Sequence, residues 1–282
     1  MLQGKKLGTK PIKPLLYLVS AAIILAAWQA VSMTFFKDYG IIPPPLKTLE
    51  IIVGEAGKPT FARAVSDTLW KSFFSFVLSF IPAFIFAALS HIFKPLKYLF
   101  EPFITICRVM PTMALVVILL LVFGSRELPA AVAFLVVFPL VYENIYAAFG
   151  NVDKNLTVMA KSFKVPRMRQ ITGIYAPAVL PYLFSSVIAG FGLNIKVVIS
   201  AEVMGLPSFS IGYLIRSAQQ GFDFSLSFAW LVVAVSLSFV CEAVLKLIGR
   251  FCMPFQYPDF GIAKGFLTKT GKIIKSIFAK PK

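Results

Sequence analysis

The side chains best placed to do chemistry in this chain are the few polar ones set inside long apolar runs: Arg108, Glu143, Asn194, Lys196, Glu202 and Glu242. A charge in hydrocarbon is costly, so each needs a partner, a watered route or a way out to the interface. Arg108 and Glu143 fall at similar depths in consecutive runs and are expected to form a structural ion pair rather than to touch a substrate. Lys196 lies deep in its run with Asn194, Ser200 and Glu202 close by. It either lines a solute pathway and favours an anion, or pairs with Glu202, or snorkels outward. Asn194 and Glu202 are grouped with it as pathway candidates, although packing near the outer end of the run suits Glu202 better. Glu242 sits near the end of the last run, where it can snorkel.

Other chemistries lack their residues. The single histidine, His91, and the three cysteines Cys107, Cys241 and Cys252 show no metal-ligand or paired spacing. No G-x-x-x-x-G-K-[ST] occurs to cradle nucleotide phosphates, and Gly271-Lys272-Ile273 lacks both the glycine loop and the hydroxyl. The chain is therefore expected to be no enzyme and to hold no metal or cofactor. Any ATP it uses would be bound by another subunit.

The longest polar run between apolar blocks is Val152 to Pro181, with Lys154, Lys161, Lys164, Arg167 and Arg169. Asp153 can cap a short helix over Leu156 to Phe163, and Pro166 forbids its continuation. Leu156, Met159, Ala160 and Phe163 recur at helical spacing and are expected to form a buried face. Such a helix either only fixes topology as a cytoplasmic loop or also presents a docking surface to a soluble partner.

These residues must be positioned by a membrane-embedded scaffold. Of 282 residues, 58% are apolar and 29 are Phe, with mean hydropathy +0.83. Six blocks suit a hydrocarbon core about 30 Å thick: 15–36, 72–92, 98–123, 128–149, 178–205 and 225–249. The expected class is an all-α integral membrane protein of about six spans. The first block is too long for a cleaved signal peptide. Net charge is +16, but the cations flank spans, so topology explains them better than nucleic acid does. With the N-terminus inside, nineteen cations fall on cytoplasmic segments and seven outside, the bias that the positive-inside rule requires. Three parts are expected: a basic N-terminus over 1–14, the span domain over 15–249 with its loop at 150–177, and a basic tail over 250–282. The tail reads either as an amphipathic helix on anionic lipid or as a solvated extension. Thr48 to Gly54 reads as a short interfacial helix.

The 152–181 run resembles the cytoplasmic loop of bacterial ABC-importer permeases, which reads Glu-Ala-Ala, then Gly, then Ile-x-Leu-Pro. Those places fall on Val158-Met159-Ala160, Lys164, Ile174 and Ala176-Pro177. Ala160, Ile174 and Pro177 fit; Val158, Met159, Lys164 and Ala176 depart. Val152-Asp153, Ala160-Lys161-Ser162-Phe163 and Ala176-Pro177-Ala178-Val179-Leu180-Pro181 are similar to the sulfonate/nitrate/taurine-type subgroup. Arg108-Val109-Met110-Pro111, Phe123-Gly124-Ser125-Arg126-Glu127 and Ala201-Glu202-Val203 add to the resemblance, which runs from about residue 41 to 205.

The resemblance implies a type I importer permease of the bacterial inner membrane, with both termini cytoplasmic. It also implies two ATPase subunits, a second permease subunit (identical or homologous) and an extracytoplasmic solute-binding protein. Asp153, Leu156, Val158, Met159, Ala160, Phe163, Lys164 and Pro177 become the candidate ATPase-coupling residues. The implied solute is a small anion such as a sulfonate, nitrate or taurine-like compound, or a vitamin precursor. The competing class is a stand-alone secondary transporter or channel. It lacks the chain of carboxylates or histidines, and the inverted repeat, that ion coupling would use.

Overall fold

The computed structural model describes residues 12–35, 42–207 and 209–252, so the 262–280 tail and most of the basic N-terminus lie outside the described residues. Every regular element among them is helical. In chain order they are α1 (Ile12–Phe35), α2 (Pro45–Ala56), α3 (Pro59–Ile92), α4 (Lys94–Val109), α5 (Thr112–Gly150), α6 (Lys154–Ser162) and α7 (Arg167–Gln170). A π-turn (Ile171–Tyr175) leads into α8 (Ala176–Gly205), followed by α9 (Ile211–Gln220) and α10 (Phe224–Cys252).

Residue size organises the bundle around α3. Ala64, Thr68, Ser72, Ser75, Ser79, Ala83 and Ala87 are wholly buried. They recur every three or four residues and so share one helix face. Phe76 is the one large side chain among the buried residues of α3, so α5 and α8 approach closely. Phe73 and Phe74 point the other way and are exposed, as lipid-facing aromatics would be. Phe76 turns inward and meets Phe191 edge-on at 5.3 Å. The core continues through Val137, Val141 and Ile145 of α5, and through Ala64, Ile195, Ile211, Ile215 and Trp230 where α3, α8, α9 and α10 meet.

Four helical runs are long and apolar enough to cross a membrane: α3, α5, Arg167–Gly205 and α10. A shorter apolar stretch, Leu18–Thr34, lies in α1. The expected span over 98–123 is not one helix. Pro111 pushes the residue before it into extended backbone, and Met110 accordingly has ψ 128°, which separates α4 from α5. The expected span over 72–92 instead begins at Pro59, a residue favoured in the first turn, with nothing to break the helix before Ser72.

The helix α5 is not a straight rod. Gly124 departs from helical geometry at φ 71° and ψ 175°, a conformation that glycine tolerates. In a straight helix Val116 and Val132 would be about 24 Å apart along the axis, yet both belong to one packed cluster with Leu115, Leu128 and Ala133. The chain therefore turns back at Gly124. That reversal also brings Arg108 to Glu143, 35 residues later.

Before α3, the return segment is tied to α1 by Trp28 Nε1–H to the Pro43 carbonyl (3.1 Å) and by Ser32 Oγ–H to the Ile42 carbonyl (2.7 Å). The short helix expected over Thr48 to Gly54 is α2, slightly longer at both ends, with Leu46, Leu49 and Val53 exposed along one side.

Candidate functional site

The basic loop folds as a capped helix on a stiff elbow. Asp153 Oδ1 accepts the Asn155 N–H at 2.8 Å, which satisfies one of the amides that a helix start leaves open. At the other end the Val165 N–H donates to the Ala160 carbonyl (2.9 Å) and the Lys164 N–H to the Lys161 carbonyl (3.0 Å). This is the Schellman pairing, which needs a left-handed residue between the two donors' partners and the exit. Lys164 supplies it at φ 52°, at a strain of about 1 kcal/mol that a glycine would avoid. The turn is thus the left-handed one, although the side chain is not Gly.

The face of α6 differs from the expected one. Leu156, Met159 and Phe163 are 44%, 51% and 76% exposed, and Val158 is exposed on another side. Ala160, grouped with them by spacing, is buried. It lies at the edge of the stripe that turns toward its own chain, so it anchors α6 and leaves docking to its larger neighbours.

Behind α6, Ile174 and Tyr175 pack on Ala148, Val152 and Val179, which seats the loop on the ends of α5 and α8. Pro177 stands in the first turn of α8. It offers no N–H and crowds the carbonyl four residues back. The chain widens there into the π-turn, where the Ala176 N–H reaches the Ile171 carbonyl.

The three candidates on α8 separate. Asn194 and Glu202 are wholly buried, so neither lines an open pathway in this chain. Both face α3, because that is where the small-residue stripe leaves room. Asn194 Nδ2–H donates to the Ser72 carbonyl (2.7 Å) and Oδ1 accepts the Ser75 hydroxyl (3.2 Å). Glu202 Oε2 accepts the Thr68 hydroxyl (2.9 Å) and the Gly212 N–H (3.2 Å). Glu202 Oε1 lies 3.9 Å from Lys71 Nζ, and Lys71 is itself bonded to Asp67. Glu202 therefore meets Lys71 rather than Lys196.

Lys196 is exposed, on a different face. It lines a cavity of about 300 Å³ between α8 and α10 together with Ser200, Ser238 and Glu242. Its ammonium makes no ion pair among the described residues, whereas Glu242 pairs with Lys246 at 3.2 Å. The walls are otherwise Ile199, Leu231, Val235 and Phe239. A cation set beside a mostly apolar groove offers an anion a counter-charge.

Arg108 Nη1–H donates to Glu143 Oε1 at 2.6 Å, with the two side chains 59% and 40% exposed. The pair bridges the broken span and its return, away from the Lys196 groove. The arrangement can thus do three things: offer an apolar helix face, hold a cation beside an apolar groove, and lock helices by buried hydrogen bonds.

Residues 80–252 match the family model described as binding-protein-dependent transport system inner membrane component. The chain belongs to this family. Among individual proteins, this ABC-transporter permease is 23% identical over 247 residues to the taurine transport system permease protein TauC of Escherichia coli (strain K12), covering 83% of this chain and 87% of that one. It is 22% identical over 248 residues to SsuC of Bacillus subtilis (strain 168), named for aliphatic sulfonates transport, covering 87% and 89%. These likenesses identify the sulfonate/taurine-type subgroup of inner-membrane permeases. The matched region of the permease includes the hairpin at Gly124, α6, the Lys196 groove and, of the Glu202 cluster, Glu202 and Gly212 but not Thr68 or Lys71.

Sequence reasoning passed over Thr68 and Gly212, which hydrogen-bond to Glu202. The signal for Thr68 was available in the hydroxyl and small residues of α3 at helical spacing, which the nearby phenylalanines obscured. Nothing local marks Gly212, whose role comes from a helix ten residues before it.

Proposed function

We propose that this permease is the membrane-spanning subunit of an ATP-driven importer for taurine or another small organosulfonate. The names of the two relatives support that solute class, and Lys196, with no ion-pair partner among the described residues, supports an anion in its mostly apolar groove. The proposed topology has six spans: α1, α3, α4 with the first part of α5, the rest of α5, α7 with α8, and α10. Both termini lie in the cytoplasm, as the charge bias requires. The span domain then occupies 15–249, with the 1–14 segment and the 250–282 tail at the inner surface.

The assembly is two permease subunits, identical or homologous, with two ATPase subunits and an extracytoplasmic solute-binding protein. ATP stays with the ATPase. Closure of the ATPases on nucleotide pushes α6, and a rigid-body shift of the spans alternates access to the groove. Lys196 offers a weak site for the sulfonate on its way. Arg108 and Glu143 hold the hairpin in register.

The observation that carries this reading is the exposed face of α6. Leu156, Met159 and Phe163 stand out on a nine-residue helix that is capped at both ends and seated on a packed elbow. A rigid helix with an uncovered apolar face is what an ATPase cleft could grip. The test is Met159→Glu with Phe163→Glu, tagged and purified with the ATPase subunit of the same transporter. The ATPase is expected to be lost and ATP-dependent taurine uptake into proteoliposomes abolished, with membrane insertion unchanged. Normal uptake by the double variant would remove α6 from the mechanism.

A further inference from the structure

We infer that Glu202 bolts α9 to the α3–α8 pair, so that displacement entering through α6 is delivered to the opposite end of the molecule. Glu202 and Thr68 are then positioning residues for the closure at that end. The inference rests on the importer reading above.

The bolt joins three helices through one buried carboxylate. Glu202 Oε2 takes the Thr68 hydroxyl of α3 and the Gly212 N–H of α9, while Thr68 Oγ1 accepts the Ile211 N–H at 3.0 Å. Ser210 Oγ, hydrogen-bonded to the Pro207 carbonyl, accepts the Tyr213 N–H at 3.2 Å. The first three amides of α9 are thus satisfied by side chains, two of them through the Glu202–Thr68 pair. A carboxylate at a helix N-terminus is also favoured by the helix dipole. The fit leaves no slack, because any side chain at position 212 would overlap Glu202 and the Val203 backbone.

The chain leading into α9 is held in conformations that L-residues resist: Leu206 at φ 54° and Phe209 at φ 62°. Such residues persist where their surroundings impose them. The Arg63 guanidinium of α3, 3.9 Å from the centre of the Phe209 ring, imposes a second tie.

Further along, Asn194 fastens α8 to Ser72 and Ser75 of α3 by buried hydrogen bonds. Breaking any of these strands a buried polar group. The helices α3, α8 and α9 therefore move together. The lever is α8 itself, 30 residues or about 45 Å long. Its first turn is seated with the α6 loop and its last turn carries Glu202.

The test uses the complete transporter (permease, ATPase and binding protein) in proteoliposomes, with taurine as probe and uptake per ATP hydrolysed as readout. Glu202→Ala is expected to lower that ratio roughly tenfold, a typical size for coupling between sites, while ATPase association and basal hydrolysis persist. With the three native cysteines changed to Ser, a short thiol cross-linker between Ala64→Cys and Ile215→Cys is expected to restore the ratio in Glu202→Ala. Both positions lie in the cluster joining α3 to α9. A loss of folded complex lowers uptake and hydrolysis together and leaves their ratio in place, so the ratio separates lost coupling from mere destabilisation. Thr68→Val, nearly isosteric, serves if Glu202→Ala fails to insert; it should show a smaller loss cured by the same link. An unchanged ratio in the variants, or a loss that the link does not repair, overturns the inference. A wild-type complex that takes up no taurine on ATP addition overturns the importer reading instead.

Discussion

The Val165 N–H lies 2.9 Å from the Ala160 carbonyl, closing α6 over a left-handed Lys164. The bond keeps the loop's geometry where the family's glycine is missing, and places the strain on one exposed lysine. Lys164→Gly is expected to stabilise the permease by up to about 1 kcal/mol by removing the Cβ conflict, less whatever glycine adds to the freedom of the unfolded chain. Lys164→Ala keeps the Cβ and should gain nothing. Thermal unfolding in detergent compares the two. A higher midpoint for the alanine variant would contradict this account of the turn.

Burial separates Ala160 from its neighbours on α6. Phe163→Glu changes a side chain 76% exposed and is expected to shift stability by about 0.5 kcal/mol or less. Ala160→Arg forces charge and bulk into a position 3% exposed and should cost about 3 kcal/mol or more. Melting curves of the two purified variants decide the matter. Equal stability would mean that Ala160 belongs to the docking face after all.

Gly212 has no room for a side chain against Glu202. Gly212→Ala is expected to destabilise by about 1–3 kcal/mol, the usual cost of overpacking. Gly221→Ala, where an added Cβ meets only ordinary contacts at 3.5 Å and beyond, should be close to neutral. Detergent unfolding measures both. A neutral Gly212→Ala would show that α9 is not clamped.

Arg108 and Glu143 are 59% and 40% exposed, so neither is held in the buried interior, and their attraction is discounted as for an uncovered pair. A double-mutant cycle with Arg108→Ala and Glu143→Ala is expected to return a coupling of about 1 kcal/mol or less. Uptake should survive each single change. Loss of uptake in Arg108→Lys with unchanged stability would reassign the pair to the solute route.

Lys196 bears on transport rather than folding. Lys196→Met keeps the apolar stem and removes a charge that has no ion-pair partner among the described residues. Stability should stay within about 0.5 kcal/mol, while the KM for sulfonate uptake rises several-fold. Unchanged uptake kinetics would remove Lys196 from the pathway.

What the sequence determined by itself was everything set by local pattern: helices from unbroken apolar runs, the Asp153 cap, the stop at Pro166, and the basic loop that resembles the permease family. It also placed Arg108 and Glu143 at matching depth, because two antiparallel runs of known length bring fixed positions together. The tertiary structure alone decided which side of each helix is covered. Ala160 and Phe163 share a spacing pattern, yet one is buried and the other exposed. Asn194, Lys196 and Glu202 share a helix, yet α3 covers the first and last and leaves Lys196 in a groove. Helical period puts residues on faces, but which face meets which neighbour depends on chain reversals such as Gly124 and on the small side chains that let α3 come close. Those are properties of the packed whole, and no window of sequence contains them.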